Sequence, residues 1–309
     1  MFFVHNNINL LMEYRTAGKS SLRISRIGFG CMSLMPDQKE IQHLTDAAID
    51  YGINYFDTAD LYDKGQNEIN IGKALKTKRQ NVFLATKVGN QWREDGSGWD
   101  WNPRKEYILT AIEQSLQRLQ TSFIDLYQLH GGTINDPIEE TIDAFELLKK
   151  QGKIRHYGIS SIRPDVIREY VKRSNIVSVM MQYSLLDRRP EESCLQLLHG
   201  NNISVLARGT VASGTLVNKA AKPYLNYNVT EVTNAAMAIK KISSKERTPA
   251  QTAIQFVLQN PSVTSAIVGI RTMEQLTDAV NALTSPELSK DEMEILKAAV
   301  PINYYTDHR

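Results

Sequence analysis

Four side chains in this sequence stand where strand-like segments end, and together they suit one kind of chemistry. "INYF" (53–56) has the β-branched and aromatic content of a buried strand and runs directly into Asp57, with Tyr62 five residues later. "VFLATK" ends in Lys87 and "FIDLYQLH" ends in His130. Taken singly, an acid after a strand is usually a turn former, a tyrosine a packed aromatic and a histidine a satisfied core residue. A lysine that closes an apolar strand is harder to dismiss, because an unpaired buried ammonium is strongly disfavoured, and Asp57 is the obvious partner. An ammonium beside a tyrosine favours the phenolate and makes the phenol a readier proton donor at neutral pH. A histidine beside both would hydrogen-bond to a carbonyl oxygen and orient it. The set suits protonation of a carbonyl oxygen as a hydride arrives at its carbon. None of the four supplies a hydride, so a nicotinamide cofactor is implied.

Positioning these groups together requires a particular arrangement of elements. Strand-like segments at 27–31, 53–56, 82–87, 123–130, 154–160, 177–183, 203–208 and 265–269 alternate with helical patterns. One such pattern places Ile108, Ile112, Leu116 and Leu119 on one face, and another ends in Lys149 and Lys150 just before Gly152. Eight strand–helix units predict an α/β fold, a (β/α)8 TIM barrel. "YRTAGKSSLRIS" reads as an N-terminal β-hairpin with Gly18 in its turn, expected to close the bottom of the barrel. An open dinucleotide-binding sheet is rejected, because "GFGCMS" lacks the third glycine and the following helix. Barrel enzymes carry their chemistry at the C-terminal ends of the strands, where this sequence places Asp57, Lys87, His130, Ser160, Gln182 and Arg208.

Composition narrows the function class. Across 309 residues, 36 Lys+Arg balance 34 Asp+Glu, and the basic residues are scattered, so neither nucleic acid nor an anionic membrane is an expected partner. Cys31 and Cys194 fit no metal or redox spacing, which suits a reducing cytoplasm, and no metal site is expected. "MFFVHNNINLL" lacks a basic start and a cleavage site. Residues 1–11 are expected to be an extension and 12–309 one barrel domain of a soluble, cytoplasmic protein, whose oligomeric state stays open. The charge-free run 248–270 is divided by Asn260-Pro261 into a helix and a strand, so it does not read as a membrane span.

"GINYFDTADLY" followed by Gly65, Glu68 and Gly72, then "ATK", "DLYQLH", "YGISS", "MQYS" and "GIRTMEQL", form a specific ordered set. In these motifs the chain resembles the aldo-keto reductase family, in a bacterial branch, from "RISRIGFGCM" through the last helix. The resemblance implies that Asp57, Tyr62, Lys87 and His130 form the family's catalytic tetrad. It also implies an extended site for NADPH/NADP+. Gln182, Ser160 and Ser161 would hold the nicotinamide carboxamide, and Arg208 would pack against the nicotinamide. Gly209, Thr210, Gly214 and Leu216 would lie on the loop over the pyrophosphate. Gly269, Arg271, Gln275 and Asp278 would surround the adenosine end. Ser161 stands where the family usually has Asn, Thr210 and Val268 where it often has Pro, and Ala279 where an adenine-contacting Asn is frequent. "HGGT" after His130 departs from the commoner His-x-Pro form.

Two local readings complete the picture. Thr272 can cap a helix whose N-terminus favours an anion, and the adjacent Arg271 has a fork suited to the 2′-phosphate of NADPH. "VGNQWREDGSGWDWNP", after Lys87, holds Trp92, Trp99 and Trp101 with Gly89, Gly96 and Gly98 as hinges, and is expected to cover a bound substrate or the nicotinamide. The function expected is NADPH-dependent reduction of aldehyde or ketone carbonyls to alcohols. A cofactor-binding regulatory module with little turnover is the alternative. A Schiff-base barrel built on Lys87 is a third reading, which pairing with Asp57 opposes.

Overall fold

The computed structural model describes residues 12–309, so the expected extension at 1–11 lies outside the described residues. An antiparallel hairpin, β1 (Tyr14–Thr16) and β2 (Arg23–Ser25), is followed by β3 (Ile27–Gly30), β4 (Tyr55–Asp57) and β5 (Phe83–Val88). A second antiparallel hairpin, β6 (Asn90–Trp92) and β7 (Trp99–Trp101), precedes β8 (Ile124–Leu129) and β9 (Ile154–Ser160). β10 (Ser178–Gln182), β11 (Ser204–Arg208) and β12 (Val263–Gly269) complete the strands. β3, β4, β5, β8, β9, β10, β11 and β12 pair in that order, all parallel, and β12 returns to β3 to close an eight-stranded barrel. All eight strands read from the sequence are present, with ends that differ by at most two residues.

Helices cover the outside, beginning with α1 (Gln38–Asp50), α2 (Gln66–Leu75), α3 (Lys105–Leu119), α4 (Ile138–Lys150) and α5 (Pro164–Arg173). They continue with α6 (Cys194–Gly200), α7 (Val229–Ile242), α8 (Pro249–Leu258), α9 (Met273–Asn281) and α10 (Lys290–Ala298). The charge-free run at 248–270 divides into α8 and β12 at Asn260-Pro261. Among the described residues no helix is long and apolar enough to cross a membrane.

Strand periodicity sorts the core into two clusters, because successive side chains point to opposite faces. Phe29, Phe56, Leu84, Val179, Val205 and Val268 face outward and pack with helix residues such as Ile41, Ile112 and Phe256. Tyr55, Ala85, Leu126, Met180, Leu206 and Ile267 face the barrel interior, where they meet Ala17, Leu22 and Ile24 of the first hairpin. That hairpin therefore plugs the N-terminal end of the barrel, as the sequence leads one to expect. Gly18 in its turn has φ +55, and a Cβ there would lie 2.3 Å from the Val177 carbonyl oxygen, so no side chain fits.

Two residues beyond the interior apolar layer, on the same face of each strand, stand Asp57, Lys87, Gln128, Gln182, Arg208 and Gly269. The barrel thus changes from apolar filling to polar side chains at its C-terminal end. The segment after Lys87 differs from the hinged loop anticipated from its glycines. Trp92 pairs with Trp99 and Asn90 with Trp101 across β6–β7, and Arg93 donates to Asp100 at 3.0 Å, so cross-strand contacts hold the segment as a ribbon.

Candidate active site

Asp57 closes β4, Lys87 stands next to last in β5, and their exposures are 4% and 1%. β4 and β5 are neighbours, so closure of the barrel brings these inward side chains together. The Lys87 ammonium donates to Asp57 Oδ1, to the Thr58 carbonyl at 2.8 Å and to Tyr62 Oη at 3.3 Å. Burial opposes its charge, but Asp57 and Tyr62 outweigh burial and raise Lys87 above the ordinary lysine range. A protonated amine committed to three acceptors is not a Schiff-base nucleophile, which removes the third reading of the sequence.

Tyr62 opens a short turn, Tyr62–Gly65, between β4 and α2. The polypeptide leading to it is anchored where Thr58 Oγ1 donates to Asn67 at 2.6 Å and Asn67 donates to the Cys31 carbonyl at 2.9 Å. Glu68, fully buried in α2, accepts from Thr86 Oγ1 and from Arg118 Nε, each at 2.6 Å, and so ties α2 to β5 and α3. A buried carboxylate with these donors is satisfied, and it fixes the helix that follows the tyrosine.

His130 follows β8, with its N–H on the Val88 carbonyl at 2.7 Å and its own carbonyl accepting from Asn90 at 3.1 Å. Its ring meets Tyr62 edge to face, with centroids 5.8 Å apart and planes at 83°. Burial, then the cations Lys87 and Arg208, push its pKa down to about 3, so the imidazole is neutral at physiological pH. The folded value lies below the unfolded one, so its contribution to stability is present above about pH 6.5 and is lost as pH falls toward 3. Urea unfolding at pH 7 and pH 5 should therefore show a larger drop for the native chain than for His130→Gln. Equal drops would mean that the imidazole charges freely in the folded protein.

The four side chains open into a cavity of about 910 Å³ at the C-terminal end of the barrel. Ser160, Ser161, Gln182 and Arg208 line it beside them. Gly209, Thr210, Gly214, Gly269, Arg271 and Gln275 also line it. Ser161 Oγ also accepts from the Arg163 N–H at 3.2 Å, and Gln182 Nε2 donates to Tyr224 Oη at 3.3 Å. Thr272 caps α9, and the Arg271 N–H donates to Gln275 Oε1 at 2.9 Å. Among the described residues no carboxylate lies within 4.0 Å of the Arg208 or Arg271 guanidinium. A cavity lined by the Asp57, Lys87, Tyr62 and His130 side chains, by two guanidiniums without a carboxylate partner and by residues beside a capped helix start fits a nicotinamide dinucleotide with its phosphates.

Five residues named from the sequence do not line this cavity. Leu216 is buried in the outer core, and Asp278 accepts from Thr248 Oγ1 at 2.8 Å and Gln251 Nε2 at 3.0 Å at the start of α8. Trp92 lies under the Lys64 ammonium, 5.2 Å from its ring centroid, and Trp99 is exposed. Trp101 donates from Nε1 to Asp136 at 3.0 Å, and its ring backs Gly131, where a Cβ would come within 3.1 Å of it. Trp101 thus supports the corner after His130 from behind.

One residue at the centre is not among those that the strand ends single out. Gln128, fully buried, donates from Nε2 to Asp57 Oδ2 at 3.0 Å. Strand parity carried the signal, because Gln128 lies two residues before His130 and so shares its face.

A sequence profile of the Aldo/keto reductase family matches residues 26–301. The chain is 48% identical to the uncharacterized oxidoreductase YqkF of Bacillus subtilis, over 96% of this chain and 100% of that protein. The holo form of aldo-keto reductase AKR11C1 from Bacillus halodurans superposes with a TM-score of 0.90 at 46% identity, covering 96% and 99% of the two chains. Glycerol dehydrogenase AKR11B4 from Gluconobacter oxydans is similar at 26% identity and a TM-score of 0.81, over 93% and 94%.

Proposed function

Because this chain belongs to the aldo/keto reductase family, whose members carry out nicotinamide-dependent carbonyl reduction, we propose that it reduces aldehydes or ketones with NADPH and that Tyr62 is the proton donor. The observation that carries this reading is the buried chain from Asp57 through Lys87 to Tyr62, ending beside a neutral His130 at the cavity mouth. When bound, NADPH supplies the hydride.

The chain's own residues do the rest. His130 hydrogen-bonds to the substrate carbonyl and orients it. Tyr62 Oη passes its proton to the carbonyl oxygen as charge develops there. The phenolate left behind is stabilised by Lys87, whose own charge is held by Asp57. Ser160, Ser161 and Gln182 bind the carboxamide of the nicotinamide, and Arg208 packs on its face. Gly209, Thr210 and Gly214 cover the pyrophosphate, while Arg271 and Gln275 take the adenosine end. Leu216 supports the loop from the core, and Asp278 ties α9 to the start of α8 through Thr248 and Gln251. NADPH consumption over a panel of aldehydes, ketones and sugars tests the proposal. Tight NADPH binding with no turnover on any of them would overturn it.

Arg271 is proposed to read the 2′-phosphate. A charge-assisted contact of this kind contributes roughly 1.5–3 kcal/mol, so Arg271→Ala should weaken NADPH binding by about 10- to 150-fold and leave NADH binding little changed. Dissociation constants for both cofactors decide the matter. Equal losses would mean that Arg271 only supports its loop.

A further inference from the structure

We infer that Gln128 is a positioning residue for the reaction: it holds the Asp57 carboxylate in orientation so that the Lys87 ammonium stays directed at Tyr62. The inference rests on the reading of Tyr62 as proton donor. β5 lies between β4 and β8, so the contact from Gln128 to Asp57 reaches past the intervening strand across the barrel interior. Asp57 Oδ1 accepts from Lys87 and Oδ2 accepts from Gln128, so donors from two strands fix the plane of the carboxylate. Loss of either donor frees it to turn.

The choice of side chain is informative. Leu126, two residues earlier on the same face, is apolar and packs in the barrel interior. Gln128 instead buries Oε1 without a hydrogen-bond partner, an unfavourable arrangement that an apolar residue avoids. What the amide adds is an uncharged donor of the right length for Oδ2. An ammonium there would compete with Lys87, and a second carboxylate would repel Asp57.

The groups facing Asp57 are Lys87 from β5, Arg208 from β11, Cys31 after β3 and Tyr55 from its own strand, with His130 and Tyr62 at the mouth. Burial pushes the Cys31 thiol and the Tyr55 phenol up and His130 down to about 3, so all three are uncharged near neutrality. Burial also raises Asp57, and Lys87, Gln128 and Arg208 work against it. Removal of Gln128 should therefore let Asp57 take up a proton at higher pH.

The test compares Gln128→Met and Gln128→Glu with the native enzyme by pH–rate profiles of carbonyl reduction and by direct NADPH binding. Gln128→Met keeps the length and removes the donor. It is expected to lower kcat about tenfold at pH 7, to move the acid limb up by about one pH unit and to hold the NADPH Kd within about twofold. Gln128→Glu donates only while its own carboxyl is protonated, so its activity should decline as pH rises, relative to the native profile. Gln128→Met with an unmoved limb and kcat within about twofold of native overturns the inference. So does a loss confined to NADPH binding, which packing alone would cause. If Gln128→Met does not fold, the Gln128→Glu profile decides alone, and a native profile overturns the role. An active Tyr62→Phe would bring down the proton-donor reading itself. An inactive Tyr62→Phe beside a native-like Gln128→Met would overturn the inference alone.

Discussion

Tyr62→Phe is expected to bind NADPH with native affinity and to lose carbonyl reduction by about 10²–10⁴-fold or more, the usual worth of a general acid. Everything but the acid survives the substitution. The phenyl ring keeps the edge-to-face contact with His130, with centroids 5.8 Å apart, and keeps the Lys87 ammonium 4.9 Å from its centre. Only Oη goes, the atom 3.3 Å from Lys87 Nζ. A turnover measurement at saturating NADPH, paired with direct cofactor titration, separates chemistry from binding. Near-native turnover would show that the proton reaches the substrate from another group.

Lys87→Met is expected to be as damaging to turnover and, in addition, to destabilise the fold. The substitution leaves Asp57 only 4% exposed, with Gln128 but no cation in hydrogen-bond contact, and breaking a buried pair from one side typically costs about 3–5 kcal/mol. The direction with pH follows from the raised Lys87 value. A group whose folded pKa exceeds its unfolded one stabilises the protein fully below the unfolded pKa and loses that contribution as pH rises through the folded one. The stability gap between native chain and variant should therefore be full at neutral pH and narrow in strong alkali, where Lys87 loses its proton, and in acid, where protonation of the buried Asp57 removes the uncompensated charge. The double variant Asp57→Asn with Lys87→Met removes both charges, so it should regain stability over Lys87→Met without regaining turnover. Equal stability for the single and double variants would mean that the aspartate is not left as an uncompensated charge.

Much of this site was legible before folding. Asp57, Lys87, Ser160, Gln182 and Arg208 each read as a polar residue ending an apolar strand, and the structure places all five at the cavity. That signal is local, since apolar content and a period of two are written in consecutive residues. Residues on the surrounding loops were less legible. The family resemblance points Asp278 to the adenosine end, and the packing of α8 against α9 gives it Thr248 and Gln251 as partners. The tryptophan segment suggested a hinged cover, yet pairing of β6 with β7 and the bond from Trp101 to Asp136 hold it as a ribbon behind the His130 corner.

Residue type and parity along each strand, by themselves, determined which side chains face inward at the C-terminal end and so what chemistry the protein could host. Closure of the barrel decided which of them meet. Lys87 and Asp57 are 30 residues apart, and Gln128 and Asp57 are 71 apart. Alternation along a strand follows from the steric geometry of one extended backbone, whereas these contacts require strands to be paired around a closed ring, and only tertiary structure makes that pairing.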